Sequence, residues 1–108
     1  MINSLVRGTE LRYLLTDRLF VTGSATIAEL VNTLSGQGFQ ISGRASKTVS
    51  DALRWEVSRG RVYRLRRGRY GPGWMPRSTE HRIRTRARAL RAEVARLSRE
   101  GGRRDSYR

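Results

Sequence analysis

The chain has 108 residues, of which 23 are basic and 9 are acidic, so its formal net charge is +14. It contains no cysteine, which excludes a disulfide framework, a thiolate metal site and a thiol nucleophile, and indicates a cytoplasmic protein. No segment approaches the ~20 apolar residues that span a bilayer, and the N-terminus lacks a signal-peptide pattern, so we expect neither membrane insertion nor secretion.

The positive charge is concentrated in the second half of the chain. Residues 1–53 carry five basic and four acidic groups, net +1, whereas residues 54–108 carry eighteen and five, net +13. All basic residues except Lys47 are arginine, whose planar guanidinium group matches phosphate geometry. A genomic arginine bias would explain part of the number but not its position. The distribution favours a packed N-terminal half and a polyanion-binding C-terminal half.

A first helix is predicted from four leucines at the i, i+3, i+4 and i+8 positions of one helical face: Leu11, Leu14, Leu15 and Leu19. Asn3 and Thr9 are alternative N-caps. A short β-prone stretch, residues 20–22, follows. Ser24 or Thr26 then caps a second helix, which carries a similar apolar stripe from Ile27 to Leu34 and ends near Gly36 and Gly38.

A third helix is predicted over residues 44–59, with Ser42 as a candidate N-cap. Its apolar side is formed by Val49, Ala52, Leu53 and Val57. The opposite side is polar, and its members are Arg44, Lys47, Thr48, Asp51, Arg54, Trp55 and Ser58. In the connection before this helix, the alternation of Phe39 and Ile41 predicts that both side chains enter the core.

A basic β-hairpin is predicted next, with strands over residues 62–65 and 69–71. The turn Arg66-Arg67-Gly68 suits a three-residue hairpin with Gly68 in the left-handed conformation. Residues 59–71 contain six arginines and no acidic residue. A solvated hairpin would gain nothing from six mutually repelling charges, so this density favours phosphate contact.

A long helix is predicted over residues 79–100, stopped by Gly101-Gly102 and followed by a disordered tail, residues 101–108. Its apolar residues are spaced 4, 3, 4, 3 along the chain: Ile83, Ala87, Leu90, Val94 and Leu97. This seam either packs on the chain's own first helix or joins two copies. We predict the second, an antiparallel homodimer in which Arg86 pairs with Glu93 across the seam.

The run from Ser46 to Glu56, followed by Gly60-Arg61-Val62-Tyr63-Arg64-Leu65-Arg66-Arg67-Gly68-Arg69-Tyr70, resembles the recognition helix and wing of the winged helix-turn-helix superfamily. The Arg-Gly-Arg-Tyr end is similar to that of bacterial regulators and antitoxin-type DNA-binding domains. The resemblance covers about two thirds of the chain. It implies a mainly α fold with a small β-hairpin, in which residues 1–74 form the DNA-binding domain. The apolar seam, and not the resemblance, predicts that residues 78–100 form a dimerisation helix.

The resemblance also implies a division of labour on double-stranded DNA, in which the third helix enters the major groove and the wing contacts the backbone or minor groove. The residues expected to contact DNA are Arg44, Lys47, Thr48, Ser50, Arg54, Arg61, Arg64, Arg66, Arg67 and Arg69. This predicts a nucleoid-associated transcriptional regulator. The alternatives are a non-specific architectural DNA-binding protein and an accessory module that binds RNA or protein.

Catalysis is not expected from this sequence. His81 is the only histidine, no acidic cluster surrounds it, and no glycine-rich phosphate loop is present. We therefore predict no enzymatic activity, no metal site, no cofactor and no small-molecule ligand.

Overall fold

The computed structural model describes the backbone of residues 4–105 and the side chains of residues 4–99. Within this range the chain folds as a mainly helical unit with a small antiparallel sheet, as the sequence predicts. The elements follow the order β1 (Leu5–Val6), α1 (Gly8–Thr22), β2 (Ala25–Thr26), α2 (Ile27–Gly36), β3 (Gln40–Ile41), α3 (Ala45–Ser58), β4 (Val62–Arg66), β5 (Arg69–Pro72) and α4 (Arg77–Asp105).

Helix α1 carries the predicted leucine stripe, and all four leucines are buried. The predicted strand over residues 20–22 is wrong, because α1 continues to Thr22 and the amide of Gly23 still donates to the carbonyl of Leu19. Extending an existing helix adds one hydrogen bond per residue, which outweighs a modest β preference. The strand lies instead at Ala25–Thr26 and pairs with β5.

Helix α2 begins at one of the two predicted caps. The hydroxyl of Thr26 accepts from the amide of Glu29, and the carboxylate of Glu29 accepts from the amide of Thr26, which together form a capping box. The helix ends at Gly36, as expected. Phe39 is then buried and Ile41 packs against the core, so the predicted alternation in this connection is confirmed.

Helix α3 matches its predicted bounds to within one residue at each end, and its apolar side faces the core. Ser42 is not its N-cap, which is Arg44 without a side-chain cap hydrogen bond. The carbonyl of Ser42 accepts the hydroxyl of Thr48 at 2.7 Å, so a side chain inside the helix holds the preceding turn in place.

The basic hairpin consists of β4 and β5, whose antiparallel pairing runs from Val62 opposite Pro72 to Arg66 opposite Arg69. That last pair leaves a turn of two residues, Arg67-Gly68, instead of the predicted three, and the register shifts between Arg64 and Arg66. Gly68 has a φ of 73°, the left-handed conformation expected for it.

The hairpin is joined to the helical part of the chain by β2, since the three-stranded sheet has the order β2-β5-β4. Ala25 lies opposite Tyr70 and Thr26 opposite Arg69. The amide of Ile27, the first residue of α2, also donates to the carbonyl of Gly68 in the turn, at 3.2 Å.

Helix α4 is longer than predicted, because it begins at Arg77 and runs through Gly101-Gly102 to Asp105. Glycine lowers helix propensity by about 1 kcal/mol per residue without forbidding the conformation, so two glycines do not force a stop. The predicted helix end at residue 100 is therefore too early. Residues 106–108 of the predicted tail lie outside the described range.

The apolar seam of α4 packs on α1 of the same chain. Ile83, Ala87 and Val94 are 1%, 0% and 5% exposed, and Leu90 packs against the same core. Leu97, at the end of the seam, is half-buried. The seam therefore follows the intrachain alternative, and the predicted antiparallel dimer contact through it is corrected, because α1 already occupies that face.

Charged side chains beside the seam also form ion pairs within the chain. Arg86 pairs with Glu10 of α1, and Arg91 Nη2 lies 3.0 Å from Asp17 Oδ2. Arg86 is thus not paired with Glu93, which contacts Arg96 instead. Among the described residues, no helix has the length and apolar character needed to cross a membrane.

Candidate nucleic-acid interface

A groove of about 420 Å³ separates α3 from the basic hairpin. Ser50, Arg54 and Val57 line one wall, since their i, i+4 and i+7 spacing places them on one side of α3. Arg64 and Arg67 of the hairpin line the other wall. Gly68, Ile27 and the buried Tyr70 complete the lining. The fold thus brings together four of the predicted contact residues: Ser50, Arg54, Arg64 and Arg67.

The acidic side chains of residues 4–99 are all engaged elsewhere. Glu10, Asp17, Glu80 and Glu93 pair with arginines of α4, as follows: Glu10 with Arg86, Asp17 with Arg84 and Arg91, Glu80 with Arg84, and Glu93 with Arg96. Glu56 pairs with Arg12 and Arg61, and Asp51 with Lys47. Glu29 accepts from the α2 cap. Carboxylates therefore neutralise α4 more than they neutralise the groove.

Five arginines of α3 and the hairpin make no ion pair or side-chain hydrogen bond to any described residue: Arg44, Arg54, Arg64, Arg66 and Arg67. All five are exposed. Their guanidinium donors remain available to an external anion, and no described carboxylate lines the groove. The groove is therefore a concave surface with unbalanced positive charge.

Two predicted contact residues of α3 have partners within the chain. Lys47 Nζ donates to Asp51 Oδ2 at 3.0 Å, an exposed i, i+4 pair that holds the ammonium group near the helix. Thr48 is half-buried, and its hydroxyl is used by the carbonyl of Ser42. The Thr48 hydroxyl therefore fixes the start of α3 instead of reaching outward.

Two predicted contact residues of the hairpin are also engaged. Arg61 donates from Nε and Nη2 to Glu56, at 2.7 and 2.9 Å, and this hydrogen bonding raises the pKa of Arg61 above its ordinary value. Arg69 is half-buried and donates to Ser24 Oγ at 3.2 Å. Both residues hold the hairpin in position, so its outward-facing cations are Arg64, Arg66 and Arg67.

Sequence reasoning missed Glu56, which is fully buried between α1, α3 and the start of β4. Its carboxylate accepts the hydroxyl of Thr16 at 3.0 Å and lies 3.6 Å from Arg12 Nε. The signal was present in the helical wheel, because Glu56 lies three residues after Leu53 and seven after Val49, on the apolar side of α3.

The described residues offer no group of three or more His, Cys, Asp or Glu side chains that could hold a metal ion. His81 is exposed near the start of α4. Comparison with known proteins gives no further guidance, since no family model, no curated protein and no solved structure matches this chain.

Proposed function

We propose that this chain is a winged helix-turn-helix protein that binds duplex DNA and regulates transcription. The observation that carries the proposal is the groove between α3 and the hairpin, where Arg54, Arg64 and Arg67 converge without a carboxylate. In this proposal α3 enters the major groove, and the hairpin follows the adjacent backbone or minor groove.

The order of the elements supports this proposal. From α1 to β5 the order is a helix, the short strand β2, a second helix, the short strand β3, a third helix and the two-stranded hairpin, and β2 joins the hairpin in one sheet. In such an arrangement the third helix is exposed beside the hairpin, and a duplex that receives the helix meets the hairpin on the flanking strand.

The charge distribution predicts how binding depends on salt. Each neutralised phosphate contributes about −0.9 to the slope of log K against log salt, so five unpaired arginines predict a slope of roughly −4 to −5. A slope near zero between 50 and 200 mM salt would contradict a backbone-contacting interface.

The decisive experiment compares two charge reversals of equal size on a fluorescent duplex of random sequence. R66E/R67E reverses two exposed hairpin arginines, whereas R88E/R99E reverses two exposed arginines of α4 that have no described partner. We expect the hairpin variant to bind at least about tenfold more weakly, since it loses two phosphate contacts. Unchanged affinity, or equal losses in both variants, would overturn the assignment of the hairpin.

The regulatory part of the proposal requires sequence preference. Selection from a random duplex library should enrich a defined motif if α3 reads base edges. Enrichment of no motif would favour an architectural role, and stronger binding to RNA than to duplex DNA would contradict both.

A further inference from the structure

A second cationic cluster lies on the other flank of α3, around Trp55. The Cζ atoms of Arg12, Arg59 and Arg61 lie 3.9, 4.3 and 5.7 Å from the centroid of its ring system. Trp55 as a whole residue is 37% exposed. Glu56 is the only carboxylate paired in this group, so three arginines against one glutamate leave a net charge of +2. We call these residues, Arg12, Trp55, Glu56, Arg59 and Arg61, the Trp55 cluster.

The three arginines of the Trp55 cluster differ in how many of their hydrogen-bond donors are used within the chain. Arg61 donates to Glu56 from Nε and Nη2, whereas Arg12 donates to Thr9 Oγ1 and lies beside Glu56. Arg59 is exposed, and its side chain makes no hydrogen bond or ion pair to a described residue. A guanidinium group that stacks on an aromatic ring uses its face, and its N–H donors point outward in its own plane. Arg59 is therefore oriented by Trp55 while its donors remain available.

The Trp55 cluster and the groove lie on two different sides of α3. At 3.6 residues per turn, Trp55 lies about 140° around α3 from Ser50, which lines the groove. The outer face of α3, with Arg44, Asp51 and Ser58, falls between the two flanks. A helix of about 10–12 Å diameter inserted in a major groove about 12 Å wide has one phosphate backbone on each side.

We propose that the Trp55 cluster is a second phosphate site, which holds the DNA backbone on the side of the major groove opposite the hairpin. Arg59 is its main phosphate contact, Arg12 assists, and Trp55 is the positioning residue for both. The indole is already covered by guanidinium groups, which favours a phosphate over a stacked base as the ligand. This inference rests on the proposed function, because it requires α3 to lie in the major groove of the DNA.

The test uses single substitutions with a matched control. R59Q removes the guanidinium group and its charge and leaves a shorter, neutral polar side chain, and R88Q does the same on α4. We expect R59Q to weaken duplex binding several-fold and to reduce the steepness of the salt slope by about 1, while R88Q leaves both unchanged. W55L should weaken binding to a similar extent with the wild-type charge, and a denaturation curve for each variant confirms that it folds.

A spectroscopic readout follows the cluster directly. Trp74 is 69% exposed and is the other of the two tryptophans, so W74F leaves Trp55 as the sole indole emitter. Its emission should change on addition of duplex and return to the free value at high salt.

The outcomes separate this proposal from the proposed function. If R66E/R67E weakens duplex binding while R59Q behaves as R88Q does, the second phosphate site is wrong and the DNA-binding assignment stands. If Trp55 emission responds to single-stranded oligonucleotide but not to duplex, base stacking replaces the phosphate site. If no duplex binds to the wild-type chain, both proposals fall.

Discussion

Arg61 at the start of the hairpin donates two hydrogen bonds to the fully buried carboxylate of Glu56 on α3. Removing the guanidinium group would leave a buried charge with only a hydroxyl and the more distant Arg12. We therefore expect R61A to lower the free energy of unfolding by about 3 kcal/mol, measured by urea denaturation.

R66A provides the matched control, because Arg66 lies in the same hairpin and its exposed side chain has no partner among the described residues. It should change the free energy of unfolding by no more than about 0.5 kcal/mol. Equal stabilities of R61A and R66A would show that Glu56 does not depend on Arg61.

The turn after α2 approaches α4 closely at Gly38. A Cβ atom there would lie 2.6 Å from Val94 Cγ1, and the φ of 99° is unfavourable for other residues. We expect G38A to destabilise the chain by about 2–4 kcal/mol from backbone strain and overlap combined. In a double-mutant cycle, G38A/V94A should cost less than the sum of the single variants, since removing the valine methyls relieves the overlap. Simple additivity would contradict the contact.

Because its apolar seam packs on α1, we expect helix α4 to stabilise its own chain and not a neighbouring one. Ile83 is 1% exposed, so I83A should lower the free energy of unfolding by about 2–5 kcal/mol. The denaturation midpoints of the wild type and of I83A should be independent of protein concentration over a hundredfold range, because the lost contacts are intrachain. A midpoint that rises with protein concentration would show instead that the seam lies at an interface between chains.

The cap of α2 gives a pH dependence of known sign. The backbone amide of Thr26 donates to Glu29 and lowers the pKa of that carboxyl below its ordinary value. A lowered folded-state pKa means that the stabilisation is present above the unfolded-state pKa and is lost as pH falls through the folded-state value. We expect E29Q to show a shallower loss of stability than the wild type in that acid range. If the free energy of unfolding falls in parallel with pH in both proteins, the cap does not contribute to the pH dependence of stability.

The role of Arg54 is tested by a substitution that keeps its charge. R54K retains a cation in the groove but loses the planar fork that pairs bidentately with guanine. We expect its affinity for random duplex to change little, while the discrimination among selected sites falls by about 1–3 kcal/mol at one base pair. An unchanged selected motif would show that Arg54 contacts phosphate only.

The spacing of apolar residues located the helices well but did not identify what covers them. Ile83, Ala87, Leu90 and Val94 have the same 4, 3, 4 spacing whether the stripe meets another copy or α1, and only the folded chain shows that α1 is in place. Strand β2 could not be located by periodicity either, because two residues carry no pattern and its register is set by β5, about 45 positions later.

The number of arginines in the hairpin likewise predicted a basic surface, but it did not distinguish arginines that pair within the chain from those that are exposed to solvent. Arg61 and Arg64 lie three residues apart in the same charged run, yet only Arg61 has a buried carboxylate within reach. That difference arises from the packing of α3 against α1, which cannot be predicted from the local sequence pattern.

The pairing of β2 with β5, together with the hydrogen bond from Ile27 to Gly68, has an entropic consequence for ligand binding. An arginine-rich loop anchored only at its base would lose backbone freedom when it met a polyanion, at a cost of about 1–2 kcal/mol per residue fixed. Here the tip is already held by the first residue of α2. The cationic hairpin is thus preorganised, and electrostatic attraction to a ligand is not offset by the ordering of the segment that carries it.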